Sequence, residues 1–257
     1  MSPCSQRAVN SLASAWLTKP FTPKSLRKLG SLLDTQPIEP CAPHEARGNA
    51  AVLVPFCNVD NEPSILFELR ARSLRSHSGE ISFPGGRVDE TDPSFIYSAL
   101  RETKEELGID HTKVEFLGRF GPPEYNLKGN MKVWPLVGFL HATDASRRIG
   151  EEEPFPSIDM DIIRQQASPD EVATAFHVPL STFLAPSRLR SSLFRGERPY
   201  WVLDVTDIVS QHVDVEPPRP GRDGEDEVGA GVEGKIEVWG LTGWYISLLM
   251  RKLGVYQ

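Results

Sequence analysis

Three glutamates within the stretch ALRETKEELG (residues 99–108) have the spacing of a metal-binding helix face. Glu102, Glu105 and Glu106 stand at positions i, i+3 and i+4, which lie on one side of an α-helix. Carboxylates this close repel one another unless a cation lies between them. Mg²⁺ prefers carboxylate oxygens and also contacts substrate phosphates. The spacing therefore predicts a divalent-metal site for a phosphate-containing substrate, and an ordinary exposed, charged helix face is the alternative interpretation.

Two glycines and one arginine extend this pattern. Gly85 and Gly86 lie upstream of the acidic segment, after a proline, and a glycine pair allows a tight turn and a close backbone approach. A backbone carbonyl of this pair can therefore approach the same metal. Arg101 stands one helical turn before Glu105 and can form an ion pair with it. We include Arg101 among the candidate catalytic residues.

Residues 86–109, GRVDETDPSFIYSALRETKEELGI, resemble the Nudix box of the Nudix hydrolases. Asp92 stands where the box usually has glutamate, the second spacer is one residue longer than usual, and Thr103 fills a usually aliphatic position. The resemblance implies a Nudix-type α/β/α sandwich with a mixed β-sheet between helices. It also implies a hydrolase that cuts a phosphoanhydride bond with Mg²⁺ or Mn²⁺, held by the three glutamates and Gly86.

The preceding residues 69–86, LRARSLRSHSGEISFPGG, are similar to the signature of coenzyme A diphosphatases, with Ala71 in place of a serine. This similarity implies cleavage of coenzyme A or its derivatives to 4'-phosphopantetheine, or its acyl form, and 3',5'-ADP. Arginines can supply donors for the additional 3'-phosphate, or their stems can instead cover apolar surface. The candidate substrate-binding residues are Arg70, Arg72, Arg75, His77, Gly85 and Gly86.

Two downstream segments, residues 168–184 and WGLTG at residues 239–243, are similar to segments of the same enzymes. Glu171 lies in the first of them. As in several Nudix enzymes with a glutamate on a distant loop, Glu171 is a candidate general base or additional metal ligand; a surface charge beside a strand is the alternative. His77 is a candidate phosphate or water contact, and otherwise a turn residue that hydrogen-bonds the loop.

Other functions compete with coenzyme A hydrolysis. The same chemistry can act on ADP-ribose, NADH or another nucleoside diphosphate derivative, and a catalytically silent nucleotide-binding protein can keep the same fold. The complete set of glutamates argues against the silent protein. A formal net charge of −7 and the lack of a basic, aromatic stripe argue against nucleic acid as the main ligand.

Length and composition predict one domain with additions. The chain has 257 residues, 39% of them hydrophobic and 25% charged, which is enough for one core. We expect an N-terminal extension at residues 1–45, a hydrolase domain at residues 46–257, and a disordered insertion at residues 215–234, which are rich in proline, glycine and acids. Three cysteines favour neither a disulfide framework nor a zinc site, and the lack of a long apolar run predicts no membrane span. A homodimer is left open.

Residues 1–33 contain five basic residues and no acid. This bias is typical of a mitochondrial transit peptide and favours a mitochondrial location, with the cytoplasm or peroxisome as alternatives. A second interpretation is an amphipathic helix at residues 23–33 that packs on the domain.

The pattern of apolar residues predicts the elements that position these side chains. Two paired strands come first, a helix with Asp92 as N-cap and Pro93 in its first turn ends before Gly108, and two or three helices occur in all. The predicted strands are residues 50–56, 64–70, 114–119, 133–141, 172–178 and 200–205, and a final helix is expected at residues 241–253.

Overall fold

The computed structural model describes residues 15–35, 48–74, 77–126, 129–144, 149–213, 232 and 234–256. The α-helices in these ranges are α1 (Pro23–Ser31), α2 (Phe95–Leu107), α3 (Met160–Gln166), α4 (Leu180–Phe183), α5 (Thr206–Val209) and α6 (Gly240–Lys252). The strands are β1 (Asn49–Val59), β2 (Glu62–Arg70), β3 (Ile81–Ser82), β4 (Gly85–Arg87), β5 (Val114–Arg119), β6 (Glu124–Tyr125), β7 (Lys132–Leu140), β8 (Val172–Pro179), β9 (Leu189–Phe194), β10 (Arg198–Asp204) and β11 (Glu237–Val238). None of the helices described is long and apolar enough to cross a membrane.

Strand β1 is the centre of an eight-stranded sheet that contains β1 to β8. The main path through this sheet runs β3-β2-β1-β7-β5, while β4 pairs with β1, β6 with β7 and β8 with β2. Strands β1 and β7 are parallel, and the other pairs are antiparallel, so the sheet is mixed. Strands β9, β10 and β11 form a separate antiparallel sheet.

Alternate residues of β1 face two different apolar layers, as strand geometry requires. Val54 and Phe56 belong to the core that also contains the buried residues of α1 and α6. Leu53 packs in the layer with Phe95 and Ala99 of α2, while Cys57 packs with buried residues of α2 and α3. The expected α/β/α sandwich, with a mixed sheet between helices, is confirmed.

The segment before β1 packs against the domain. Helix α1 begins with a capping box between Thr22 and Ser25, and its Leu26 and Leu29 are buried in the main core. Asn58 of β1 binds this segment through hydrogen bonds with the backbone N–H and C=O of Phe21. Residues 36–47 lie outside the described residues, and so does the predicted insertion at 215–234 apart from Val232 and Gly234. The end of the N-terminal extension at residue 45 and the bounds of the insertion therefore stay predictions.

The start of α2 differs from the prediction. The helix begins at Phe95, because the Ser94 side chain caps it by accepting the Tyr97 N–H at 3.2 Å. Asp92 is not the N-cap, since its carboxylate accepts the Asp89 N–H at 2.9 Å and pairs with an arginine. All six predicted strands are present. The prediction of two or three helices was too low, because α3, α4 and α5 are too short to show helical periodicity.

Candidate active site

Helix α2 directs its glutamates to two different surroundings. Its buried stripe includes Phe95, Ala99 and Thr103, and the Thr103 hydroxyl donates to the Ala99 carbonyl at 2.6 Å. Glu106 lies on this sheet-facing stripe and Glu102 lies beside it. The exposed fraction of the side chain is 5% for Glu106, 18% for Glu102 and 54% for Glu105. Glu102 and Glu106 therefore face the sheet, whereas Glu105 faces solvent.

The two glycines of β4 leave room for these carboxylates. Gly85 has a φ of +144°, and a Cβ there would lie 2.3 Å from the Ala51 carbonyl oxygen, so only glycine fits. Its N–H donates to Glu106 Oε2 at 2.8 Å. A Cβ on Gly86 would lie 2.5 Å from Glu102 Cδ, because that carboxylate rests directly on the glycine backbone. The backbone of β4 thus contacts the carboxylates of both Glu102 and Glu106.

Arg101 ties the loop before α2 to the helix. Its Nε and Nη2 donate to the two oxygens of Asp92 at 3.1 and 3.0 Å, and Nη2 also donates to the Arg87 carbonyl at 3.0 Å. Burial acts to raise the pKa of Asp92, but the hydrogen bonds from Arg101 and the Asp89 N–H lower it below its usual range. The predicted pair with Glu105 is present at 2.9 Å.

A fully buried carboxylate that the sequence analysis missed lies beside this cluster. Glu68 Oε1 accepts the Ser82 hydroxyl at 2.8 Å, while Oε2 has no hydrogen-bond partner within the described ranges. Arg70 Nη1 lies 3.4 Å from Glu68 Oε1 and 3.5 Å from Glu106 Oε1. The sequence did contain a signal for Glu68. It stands two residues before the candidate Arg70 in one predicted strand, so the two side chains share a face.

Burial raises the pKa of three of these carboxyl groups. For Glu106, burial acts first, and the negative charges of Glu68 and Glu102 add to it. The pKa values of Glu68 and Glu102 are also raised by burial, with contributions from the charge of Glu171. Each group therefore takes on its charge less readily than an exposed carboxylate does.

The donor set fits a divalent cation. Hard cations prefer carboxylate oxygens, and the buried Glu68 Oε2 has no other partner among the described residues. As the side chains stand, no three acidic, histidine or cysteine residues of the described ranges come close enough together to hold an ion. Arg101 Nη1 lies between two of the glutamates, 3.1 Å from Glu102 Oε1 and 2.9 Å from Glu105 Oε2. The metal-ligand roles stay predictions.

The predicted substrate-binding residues divide into three groups. Arg70, His77, Gly85 and Gly86 line one cleft of about 550 Å³. His77 has a φ of +55°, and its Nδ1 lies 2.9 Å from Glu80 Oε2, which also lines this cleft. Arg72 is exposed and is absent from the described lining, and Arg75 lies outside the described residues. Glu171 is exposed in the turn before β8, where its carbonyl accepts the Ala71 N–H at 2.8 Å.

Residues 47–185 match the sequence model of the NUDIX domain, which covers more than half of the chain. The chain belongs to the Nudix family. Divalent metal cations are typical cofactors of Nudix hydrolases, in agreement with the acidic donor set of α2. The family match ends within the residues just after α4, so β9, β10, β11 and α6 lie outside it.

Several Nudix proteins are similar in sequence. The uncharacterized Nudix hydrolase NudL of Photorhabdus laumondii is 36% identical over 164 residues, which is 64% of this chain and 70% of that protein. NudL of Cronobacter sakazakii is 39% identical over 54% of this chain and 61% of its own length. A probable nudix hydrolase of Schizosaccharomyces pombe is 34% identical over 57% of this chain and 45% of its own length. The chain thus spans less than two thirds of most of these relatives.

A solved structure also matches, the NUDIX hydrolase from Alicyclobacillus acidocaldarius. It is 19% identical, with a TM-score of 0.37, over 54% of this chain and 81% of that one.

Proposed function

We propose that this Nudix hydrolase cleaves the diphosphate bond of coenzyme A or its derivatives with Mg²⁺ or Mn²⁺. The products are 4'-phosphopantetheine, or its acyl form, and 3',5'-ADP. One observation supports the chemistry above all others. Two glutamates of α2, Glu102 and Glu106, rest on the glycines of β4 that line a cleft, and Arg70 and His77 line the same cleft. The resemblance of residues 69–86 to coenzyme A diphosphatases supports the choice of substrate.

In this proposal Glu102, Glu105, Glu106 and the Gly86 carbonyl hold the cation. When bound, the cation supplies positive charge that neutralises the diphosphate and makes a nearby water more acidic. The Gly85 N–H fixes the orientation of Glu106 through its 2.8 Å hydrogen bond.

The remaining residues bind the substrate. Among the described residues, the ion pairs of Arg70 with its two carboxylates are long, 3.4 and 3.5 Å, so its guanidinium can turn to a substrate phosphate and bind it more strongly. His77 adds a second donor, and Glu171 is the proposed general base. Because phosphoryl transfer depends mainly on positioning and charge neutralisation, loss of one carboxylate should lower the rate by orders of magnitude while the fold remains.

The test is hydrolysis by the purified chain with Mg²⁺ or Mn²⁺, with products identified by mass. The substrates are coenzyme A, its 3'-dephospho form, ADP-ribose and NADH. We expect coenzyme A to have the highest kcat/KM. Preference for ADP-ribose or NADH would move the proposal to another nucleoside diphosphate derivative, and no cleavage of any of the four would favour a silent nucleotide-binding protein.

A matched pair of variants tests the catalytic assignment. Glu106→Gln keeps the size of the side chain but removes its charge, so activity should fall by about 10³-fold or more with an unchanged circular dichroism spectrum. Glu197→Gln makes the same change at an exposed position in the turn between β9 and β10 and should retain full activity. A folded Glu106→Gln with wild-type rates would exclude the assignment.

A further inference from the structure

The cleft extends well beyond the glycines of β4. Another part of its lining, called the α6 end below, comes from the loop before β7 and from the beginning of α6, through Met131, Trp239, Leu241, Thr242 and Tyr245. The whole cleft measures about 550 Å³, within the range of about 300 to 1,000 Å³ that is common for small-molecule and cofactor sites. A substrate cleaved beside Gly86 therefore has space for a further group at the α6 end.

The two ends of this cleft differ in charge. The charged lining residues, Arg70, Arg87, His77 and Glu80, belong to β2, to β4 and to the turn before β3. At the α6 end, none of the described lining residues is charged. The wall there is made mainly of the half-buried Met131, Trp239 and Leu241 together with the ring of Tyr245. Arg195 contacts the loop of this end, but its Nη2 donates to the carbonyls of Tyr125 and Asn126 at 2.6 and 3.1 Å. A phosphate at this end would lose its water without gaining a cation from the lining residues, whereas an apolar chain would release water from the wall.

The two asparagines of this end are already hydrogen-bonded. Asn126 Nδ2 donates to Asn130 Oδ1 at 2.9 Å, and Asn126 Oδ1 accepts the N–H groups of Asn130 and Met131, each at 3.1 Å. Their amides therefore shape the loop and present Met131. A ligand at this end meets largely apolar side chains, with the Thr242 hydroxyl and the Asn130 amide as polar groups nearby.

The α6 part of the wall is firmly held, although it lies outside the family match. Tyr245 donates its hydroxyl hydrogen to the Val133 carbonyl at 2.8 Å and accepts the Glu124 N–H at 2.9 Å. The Gly240 N–H donates to the Tyr200 hydroxyl at 3.1 Å. The first two turns of α6 are thus fixed to β6, β7 and β10 by hydrogen bonds within the chain.

We propose that the α6 end of the cleft binds the uncharged arm of the substrate, on the side of the diphosphate away from the nucleotide. The fitting chemical class is a flexible amide-containing chain that ends in a thiol or an apolar acyl group. This inference rests on the proposed function and refines it, since it makes Leu241 and Met131 determinants of preference among coenzyme A derivatives. The nucleotide phosphates remain at the end with the arginines.

The test compares Leu241→Asp with Leu193→Asp, a matched change at an exposed leucine of β9 that is outside the described lining of the cleft. Steady-state kinetics are measured with octanoyl-coenzyme A, coenzyme A and ADP-ribose, the last as a competitive inhibitor if it is not cleaved. We expect Leu241→Asp to raise KM for octanoyl-coenzyme A roughly tenfold or more, and the value for ADP-ribose less than about threefold. The Leu193→Asp control should match wild type with all three compounds.

Two other results would overturn the inference. Equal losses on octanoyl-coenzyme A and ADP-ribose would assign the wall to the adenine that both contain, and equal KM values for wild type and Leu241→Asp would show that the wall binds nothing. If Leu241→Asp melts at a much lower temperature, Thr242→Val is the second variant. It adds apolar surface at constant size and should lower KM for octanoyl-coenzyme A; an unchanged KM would count against the inference.

These results separate the two proposals. A wild-type enzyme that cleaves coenzyme A while the variants behave alike on all substrates would reject only the subsite. A wild-type enzyme that cleaves neither coenzyme A nor its octanoyl form would reject the proposed function, and the subsite with it.

Discussion

Gly86→Ala tests whether the position of the Glu102 carboxylate limits the reaction. A Cβ at residue 86 would lie 2.5 Å from Glu102 Cδ and 2.6 and 2.7 Å from its two oxygens. Gly86 is not among the residues with positive φ, so alanine suits the backbone there. The clash falls on the end of a flexible side chain, and Glu102 must move while the strand stays in place.

The size of the effect follows from these distances. The Glu102 carboxylate must retreat by about 0.9 Å to reach an ordinary contact of about 3.4 Å. A displacement near 1 Å in catalytic machinery can cost about 10²-fold in rate, which corresponds to about 2.7 kcal/mol in activation free energy. Stability should change little, because Gly→Ala at an allowed backbone conformation contributes only about 0.4 to 1 kcal/mol.

The assay is kcat/KM with the best substrate of the panel, together with the melting temperature. Gly150→Ala is the control, because its Cβ would also meet a glutamate, Glu153, but at ordinary distances of 3.5 and 3.6 Å. We expect about a hundredfold loss for Gly86→Ala and none for Gly150→Ala. A Gly86→Ala enzyme within about threefold of wild type would refute the idea that Glu102 must lie against this glycine.

Three further predictions concern residues outside this contact. Arg101→Lys should lower kcat/KM at least about tenfold, because lysine cannot replace the paired hydrogen bonds to Asp92; a fully active variant would contradict this. Asn58→Ala should lower the unfolding free energy by about 3 kcal/mol in urea titrations, since three buried hydrogen bonds are lost. Burial lowers the pKa of His177 from 6.5, so the unfolded chain takes up a proton first as the pH falls. The stability contributed by neutral His177 is complete above pH 6.5 and is lost as the pH falls below it. Between pH 7.5 and pH 5 the melting temperature should therefore fall less in His177→Gln than in wild type.

The longest periodic segments were the ones that the sequence could predict. Strands β1, β2 and β7 and helices α2 and α6 have enough residues for their apolar pattern to appear. The short elements exist through contacts that are distant in sequence. Strand β3, for example, is defined by the pairing of Ile81 with Leu69 and of Ser82 with Glu68. A two-residue strand has no period, so the local sequence contains no signal for it.

The spacing of the glutamates placed them on one helix but could not give their directions. Glu106 shares the buried stripe of Ala99 and Thr103 and faces the sheet, whereas Glu105 lies on the exposed side of the helix. Arg101 pairs with Glu102, Glu105 and Asp92 at once, and the pair with Asp92 spans nine residues, so local spacing does not reveal it. The mitochondrial location, the homodimer and the metal-ligand roles stay predictions, because they depend on molecules other than this chain.

The burial of the acids argues that this site is maintained for function. Glu68 and Glu106 are almost completely buried. Within the described ranges, Arg70 is the one cation that forms an ion pair with either carboxylate, and both of its contacts are long. Burial of carboxylates with incomplete ion pairing opposes folding. An apolar side chain in place of Glu68 in β2 would make the folded state more stable. Neither the strand nor the helix needs these charges to form. Raised pKa values at adjoining carboxyl groups beside a cleft are typical of sites that bind a cation or transfer a proton. The unfavourable burial is therefore best explained by ligand binding, and the same reasoning extends the predicted site from helix α2 to strand β2.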